Sequence, residues 1–245
     1  MKAGLVSVSF RKHTIEEIIT AVKAQNLTHI EWGSDVHAPY SDLKKLQKIS
    51  ALCKENDITC SYGTYFRFGQ TPIEELPNYI AAAKILGANI LRVWCGTKSS
   101  KEYTMVERNE IYQQCRQAAK LAEKEGVVLC TECHNWTLTD DKDSALALFQ
   151  AVNSPAFQTF YQPNQFKSIQ ENIAYAKAVA SFTKTVHVFN WEKENKYPLS
   201  QAIDTWKEYL SCFSDDLPCL LEFMPGDTLE ELSTESRSLF KILKS

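Results

Sequence analysis

The chain lacks a long hydrophobic run, a basic excess and a glycine-rich turn, and each absence closes off a class of protein. No stretch of its 245 residues approaches the roughly 20 consecutive apolar residues that cross a bilayer, so no membrane span is expected. Lys and Arg number 27 against 30 Asp and Glu, a net charge of −3. The long-range field therefore repels polyanions, and nucleic acid is not the expected partner. The densest basic stretch, Lys44, Lys45 and Lys48, falls at helical spacing and reads as a solvated helix face. Only eight glycines occur, and none lies in Ser7-Val8-Ser9-Phe10-Arg11-Lys12, where an open doubly wound sheet would carry its phosphate-binding turn. No Pro- or Ser-rich linker and no low-complexity segment divides the chain. The opening Met1-Lys2-Ala3-Gly4-Leu5-Val6 is too short an apolar run for a signal-peptide core, so a cytoplasmic protein is expected.

Cysteine, by contrast, is plentiful. Eight residues (Cys53, Cys60, Cys95, Cys115, Cys130, Cys133, Cys212 and Cys219) lie in apolar or helical contexts rather than a short loop-rich framework, and they read as reduced, buried thiols. Cys130 and Cys133 spell C-x-x-C. Positions three apart on a strand face opposite sides, however, and no second pair follows at zinc spacing.

Short β-rich apolar runs alternate with longer amphipathic stretches. Eight strands are expected: Leu5 to Phe10, His29 to Gly33, Ile58 to Gly63, Ile90 to Gly96, Val127 to His134, Phe157 to Gln162, Thr185 to Phe189 and Cys219 to Phe223. Between them, Thr14-Ile15-Glu16-Glu17 and Thr228-Leu229-Glu230-Glu231 are capping boxes that open the first and last helices. Pro72 starts the third helix and Gly87 ends it; the fourth runs from about Arg108 to Gly126, Asp140 and Asp141 open the fifth, and Pro198 opens the seventh. Strand–helix alternation implies a parallel sheet with right-handed crossovers, and eight units can close it. The expected fold is α/β, a single (β/α)8 TIM barrel domain spanning residues 1–245.

In such a barrel the chemistry sits at the C-terminal strand ends. There the sequence places Glu132 in Cys130-Thr131-Glu132-Cys133-His134, Gln162 in Tyr161-Gln162-Pro163, His187 in Val186-His187-Val188 and Glu222 in Leu221-Glu222-Phe223. Two carboxylates and an imidazole in one buried mouth would carry a large desolvation and repulsion penalty without a compensating cation. Glu132, Gln162, His187 and Glu222 together offer three oxygens and one nitrogen. That set suits Mn²⁺ or Mg²⁺ better than a thiolate-seeking ion, with Zn²⁺ and Co²⁺ as further candidates.

These same segments, with Ile30-Glu31-Trp32-Gly33-Ser34-Asp35-Val36-His37-Ala38-Pro39 in the second-strand loop, resemble the sugar isomerase and epimerase superfamily with the xylose-isomerase-like TIM barrel. The resemblance covers essentially the whole chain. It implies a metal ligated by Glu, Asp, His and Glu from strands five to eight, and this chain departs from it at Gln162, where the family usually carries Asp. It further implies a sugar, sugar phosphate or related hydroxycarbonyl substrate. Glu132 and Glu222 would remove and return a proton beside the carbonyl through an enediolate, giving isomerisation or epimerisation. Dimers or tetramers are frequent in the family, so a homo-oligomer is an expectation too.

Further pocket residues are suggested by position. His37 would hydrogen-bond a substrate hydroxyl or stand in solvent, and His134 would orient substrate or support Glu132. Arg92, a charge inside the apolar fourth strand, would bind a substrate oxygen or phosphate, or pair with a carboxylate inside the barrel. Trp94 and Trp191, with Trp32, Tyr65, Phe66 and Trp136, lie at or beyond strand ends, where aromatic walls face sugar rings and where barrel–helix packing also places them. Two other readings compete. A metal-independent or non-catalytic sugar-binding barrel is suggested by Gln162. An apurinic-endonuclease-like metallohydrolase is disfavoured by the presence of only five histidines and by the negative charge.

Overall fold

The computed structural model describes residues 1–244. Eight parallel strands close into a barrel: Lys2–Val6, His29–Gly33, Thr59–Phe68, Ile90–Cys95, Val128–Glu132, Phe157–Tyr161, Thr183–Val188 and Pro218–Leu221. The first strand pairs with both the second and the eighth, and that pairing closes the ring. Helices α1 (Ile15–Ala24), α2 (Leu43–Glu55), α3 (Leu76–Leu86), α4 (Met105–Glu125), α5 (Lys142–Val152), α6 (Ile169–Val179), α7 (Ile203–Leu210) and α8 (Leu229–Leu243) follow the strands in turn. The chain is thus a single (β/α)8 TIM barrel. No helix among the described residues is long and apolar enough to cross a membrane.

Local chemistry explains where the elements begin and end. Thr14 accepts from the Glu17 amide while Glu17 reaches back to the Thr14 amide, the reciprocal box that starts α1. Thr104 and Glu107 repeat the box, so α4 starts at Met105, a turn before the expected Arg108. Asp141 accepts from the amides of Asp143 and Ser144 and opens α5. Pro72 and Pro198 each precede a short 3-10 turn, with α3 and α7 starting a few residues later. The expected first strand also differs, because Ser7–Phe10 leaves the sheet as a 3-10 turn. There the hydroxyl of Ser7 accepts from the Gly33 amide and that of Ser9 from the Phe223 amide, so side chains do the pairing that a longer strand would have done. A two-stranded ribbon, Trp191–Glu192 with Asn195–Lys196, was not legible beforehand and follows the seventh strand.

The N-terminal end of the barrel is held by polar packing of its own. His29 is buried, with Nδ1 2.8 Å from Thr59 Oγ1 and Nε2 3.0 Å from Ser61 Oγ. Burial pushes its pKa down to about 4, only partly offset by Glu31. The folded state therefore favours neutral imidazole. The resulting stability is present above the unfolded pKa of about 6.5, and about 3 kcal/mol of it is lost as pH falls to 4. Urea unfolding at pH 7 and pH 4 should show this loss, and His29→Gln should flatten it; an unchanged pH slope in the variant would assign the acid sensitivity elsewhere.

Candidate metal centre and active site

A carboxylate or imidazole near the end of a strand in a closed parallel barrel has no solvated face, so its partners must come from across the interior. That requirement organises the mouth. Glu132 is the last residue of the fifth strand, His187 lies one short of the end of the seventh, and Glu222 follows the eighth. All three are buried, and a ligand atom from each lies within 4.8 Å of the others. His187 Nδ1 is 3.2 Å from Glu222 Oε2 and 3.1 Å from Gln162 Oε1. The structure thus brings together all four residues expected to form a metal centre.

The structure adds a fifth residue that sequence reasoning missed as a site member. Glu31, fully buried on the second strand, accepts from His187 Nε2 at 3.1 Å and from Arg92 Nε at 2.8 Å. The signal was available: a carboxylate in the middle of a strand buried on both faces poses the same problem as Glu132. Arg92 also donates through Nη1 to Glu132 Oε2. Its head reaches from the fourth strand to the second because the intervening third strand carries Gly63 at this level. A Cβ there would meet Glu31 Oε1 at 2.3 Å and Arg92 Nη2 at 3.0 Å. Arg92 is the one buried Lys or Arg among the described residues.

The electrostatics follow from these contacts. Burial alone would raise Glu31, but Arg92 and His187 hold its pKa down to about 2, so it stays ionised. Burial would likewise lower His187, yet Glu222 and Glu31 outweigh it and raise its pKa to about 10. That shift favours the charged imidazole, whose two nitrogens each face an acceptor, Nε2 toward Glu31 and Nδ1 toward Glu222 and Gln162. Glu222 is pulled below the usual carboxylate range by His187 and Arg92 against its burial.

The other expected pocket residues divide. His37 is buried, with Nδ1 3.2 Å from Ser7 Oγ and Nε2 3.1 Å from the His13 carbonyl. Both ring nitrogens are engaged within the chain, fastening the first two βα loops together. Trp32 and Phe66 are core residues rather than walls of the mouth. Trp94 is half-buried and carries His134 on its ring at 4.4 Å between centroids, while His134 Nδ1 is bonded to the Asn135 carbonyl. Trp191 donates to the Phe223 carbonyl at 3.2 Å and packs between Phe189 and Phe223. Tyr65 and Trp136 stay exposed, the former with Arg92 5.9 Å from its ring centroid.

Barrel closure and an acidic mouth built around one histidine define the class: a (β/α)8 protein with a candidate divalent-metal site at its C-terminal face. The xylose isomerase-like TIM barrel family matches residues 19–211, and the chain belongs to that family. No curated protein matches the sequence. Among solved structures, the probable 3-DHS dehydratase AsbF involved in petrobactin synthesis from Bacillus anthracis is similar over 98% of this chain and 99% of its own, at a TM-score of 0.82 and 16% identity. D-psicose 3-epimerase from Clostridium cellulolyticum H10, solved with D-tagatose, is similar over 98% and 97%, at 0.72 and 11%. A xylose isomerase-like TIM barrel protein from Mycobacterium smegmatis in complex with magnesium is similar over 99% and 96%, at 0.71 and 14%.

Removing Arg92 takes from Glu132 its ion-pair partner and from Glu31 one of its two. Arg92→Met should destabilise the metal-free protein by about 3–5 kcal/mol in urea unfolding, with Arg92→Lys in between because an ammonium lacks the planar fork. A loss below about 1 kcal/mol in the Met variant would mean that Glu31 and Glu132 do not depend on this cation.

Proposed function

We propose that the protein is a divalent-metal-dependent isomerase or epimerase acting on a sugar or related hydroxycarbonyl compound, with Mn²⁺ or Mg²⁺ held by Glu132, Gln162, His187 and Glu222. The observation that carries this reading is the convergence of the three ionisable ligand atoms within 4.8 Å, with His187 oriented by Glu31. Donation from Nε2 to Glu31 leaves Nδ1 on the side of Glu222 and Gln162, the arrangement in which a carboxylate fixes a ligating imidazole. Charge supports the fit. Glu31, Glu132 and Glu222 face Arg92, the one buried Lys or Arg among the described residues, and with His187 neutral the two remaining negative charges match one divalent cation. Oxygen donors with a single imidazole favour Mn²⁺ or Mg²⁺.

Such an ion supplies Lewis-acid polarisation of the substrate's carbonyl and adjacent hydroxyl oxygens. The chain's own groups do the rest. Glu132 and Glu222 come from the first and last strands that contribute to the ligand set, the fifth and the eighth, and would remove and return a proton at the carbon beside the carbonyl. Arg92 holds one oxygen of Glu132 in place. Glu31, held ionised, serves His187 and Arg92 rather than the proton transfer. Epimerisation beside a carbonyl and loss of water from a β-hydroxycarbonyl compound share this first step, so an epimerase and a dehydratase among the structural neighbours agree with one another. The eight unpaired cysteines suit a reducing compartment such as the cytoplasm.

A second reading has its own observation. Arg92 and protonated His187 already give every carboxylate of the cluster a partner, as a sugar-binding barrel working without metal would need. Solvent deuterium incorporation into a panel of ketoses, with Mn²⁺ and with chelator, separates the two. Incorporation should require the ion and fall on the order of 10²-fold or more in Glu132→Gln and in Glu222→Gln. Both variants should also lose the Mn²⁺-induced rise in Tm; Mn²⁺ stabilising them as much as the parent protein would remove the metal assignment. Gln162→Asp should tighten Mn²⁺ binding by about tenfold through the added charge, and unchanged affinity would take residue 162 out of the ligand set.

A further inference from the structure

We infer that the substrate of this site carries a carboxylate, and that Arg67 is the residue that binds it. The inference rests on the mouth being the substrate site, as proposed above, and adds the chemical class of what enters it. Arg67 lies near the end of the third strand, beyond the register shift that follows Gly63, and pairs in register with Trp94 on the fourth strand. It stands two positions further along that strand pair than Arg92 and Gly63, toward the mouth, and within electrostatic range of Glu132. Its guanidinium lies 4.2 Å from the centre of the Trp94 ring, which in turn carries His134.

What distinguishes Arg67 is its partners. Nη1 donates to the Gly96 carbonyl at 2.8 Å, and no carboxylate among the described residues forms an ion pair with it. Three cations on other βα loops are matched by carboxylates: Arg11 by Asp35, Lys98 by Glu107 and Lys196 by Asp227. Arg67 is half-buried and permanently charged, so a missing counter-ion is an electrostatic demand that a ligand can meet. The stack on Trp94 fixes the plane of the guanidinium, and its remaining N–H groups form the fork that suits a carboxylate bidentately. Nearby, Trp94 Nε1 is a buried donor without a partner. The planar fork of Arg67 matches a carboxylate. Lys167, which lines the same pocket as His134 and Gln162, spends its ammonium on the Asp140 carbonyl, and a phosphate reaching both cations is the competing outcome that the test below separates. The substrate class is therefore a hydroxy-oxo acid of the sugar-acid type, its carboxylate on Arg67 and its carbonyl and hydroxyl oxygens toward the four ligands.

The test compares three probes of equal chain length on the Mn²⁺-loaded protein: a neutral ketose, the corresponding keto-acid and the ketose phosphate. Affinity is read by calorimetry and proton abstraction by deuterium incorporation. The keto-acid should bind at least about tenfold tighter than the ketose. Arg67→Gln should erase that ratio, while Arg67→Lys, which keeps the charge but not the fork, should retain part of it. A merely structural Arg67 would lower Tm and weaken all three probes alike, leaving the ratio unchanged; that result overturns the inference, as does an Arg67-dependent preference for the phosphate. Arg67-dependent keto-acid binding without deuterium incorporation would uphold the carboxylate subsite and sink the isomerase reading. Metal-dependent incorporation with a ratio indifferent to Arg67 would do the reverse.

Discussion

The interaction on which the mouth depends is the buried charge chain Glu132–Arg92–Glu31–His187–Glu222. It runs across the barrel interior from the fifth strand to the fourth, the second, the seventh and the eighth, so no two-strand unit contains it. Three carboxylates in this volume would be untenable without cations; Arg92 pairs with two of them, and His187 lies between Glu31 and Glu222, whose charge raises its pKa. The same chain sets orientation. Glu31 fixes the imidazole, Arg92 fixes the Glu132 carboxylate, and Gly63 provides the gap through which Arg92 reaches Glu31.

Around this chain the βα loops are tied by groups that are themselves satisfied. Ser7 links His37 to the Gly33 amide, Asn164 donates to Asn135 at 2.6 Å, and Arg11 joins Asp35 and Tyr65. The rim is therefore largely closed to new hydrogen bonds. Arg67, Trp94 and His134 form a stack in which Arg67 has no carboxylate partner and Trp94 Nε1 has no acceptor.

The barrel was legible because its signals are local. The β-rich runs fall with the expected spacing, and the Thr14 and Asp141 caps are short-range patterns in the letters. Glu132, His187 and Glu222 were legible for a related reason, since a titratable residue inside an apolar strand stands out against its neighbours. Glu31 and Arg92 were harder. Arg92 could be seen as a charge needing a partner, but the partner is 61 residues away and Glu31 is 156 residues from His187. Arg67 gave no signal at all, because an arginine among aromatics at the end of a strand is ordinary; what sets it apart is a counter-ion that no one would know to be missing without the fold.

The alternation of strands and helices, and with it the barrel and the set of side chains that could reach its mouth, is written in the residues alone, because periodicity and capping act over a few residues. Which charges face which was fixed by the closed fold. Strands two and seven are separated in the ring by strands one and eight, so the Glu31–His187 contact exists only once the sheet has closed. His37, which position alone assigned to the mouth, binds Ser7 and the His13 carbonyl instead, because pairing of the first two strands sets their loops side by side. Pairing of buried charge is a long-range property, fixed by ring geometry rather than by the order of residues along the chain.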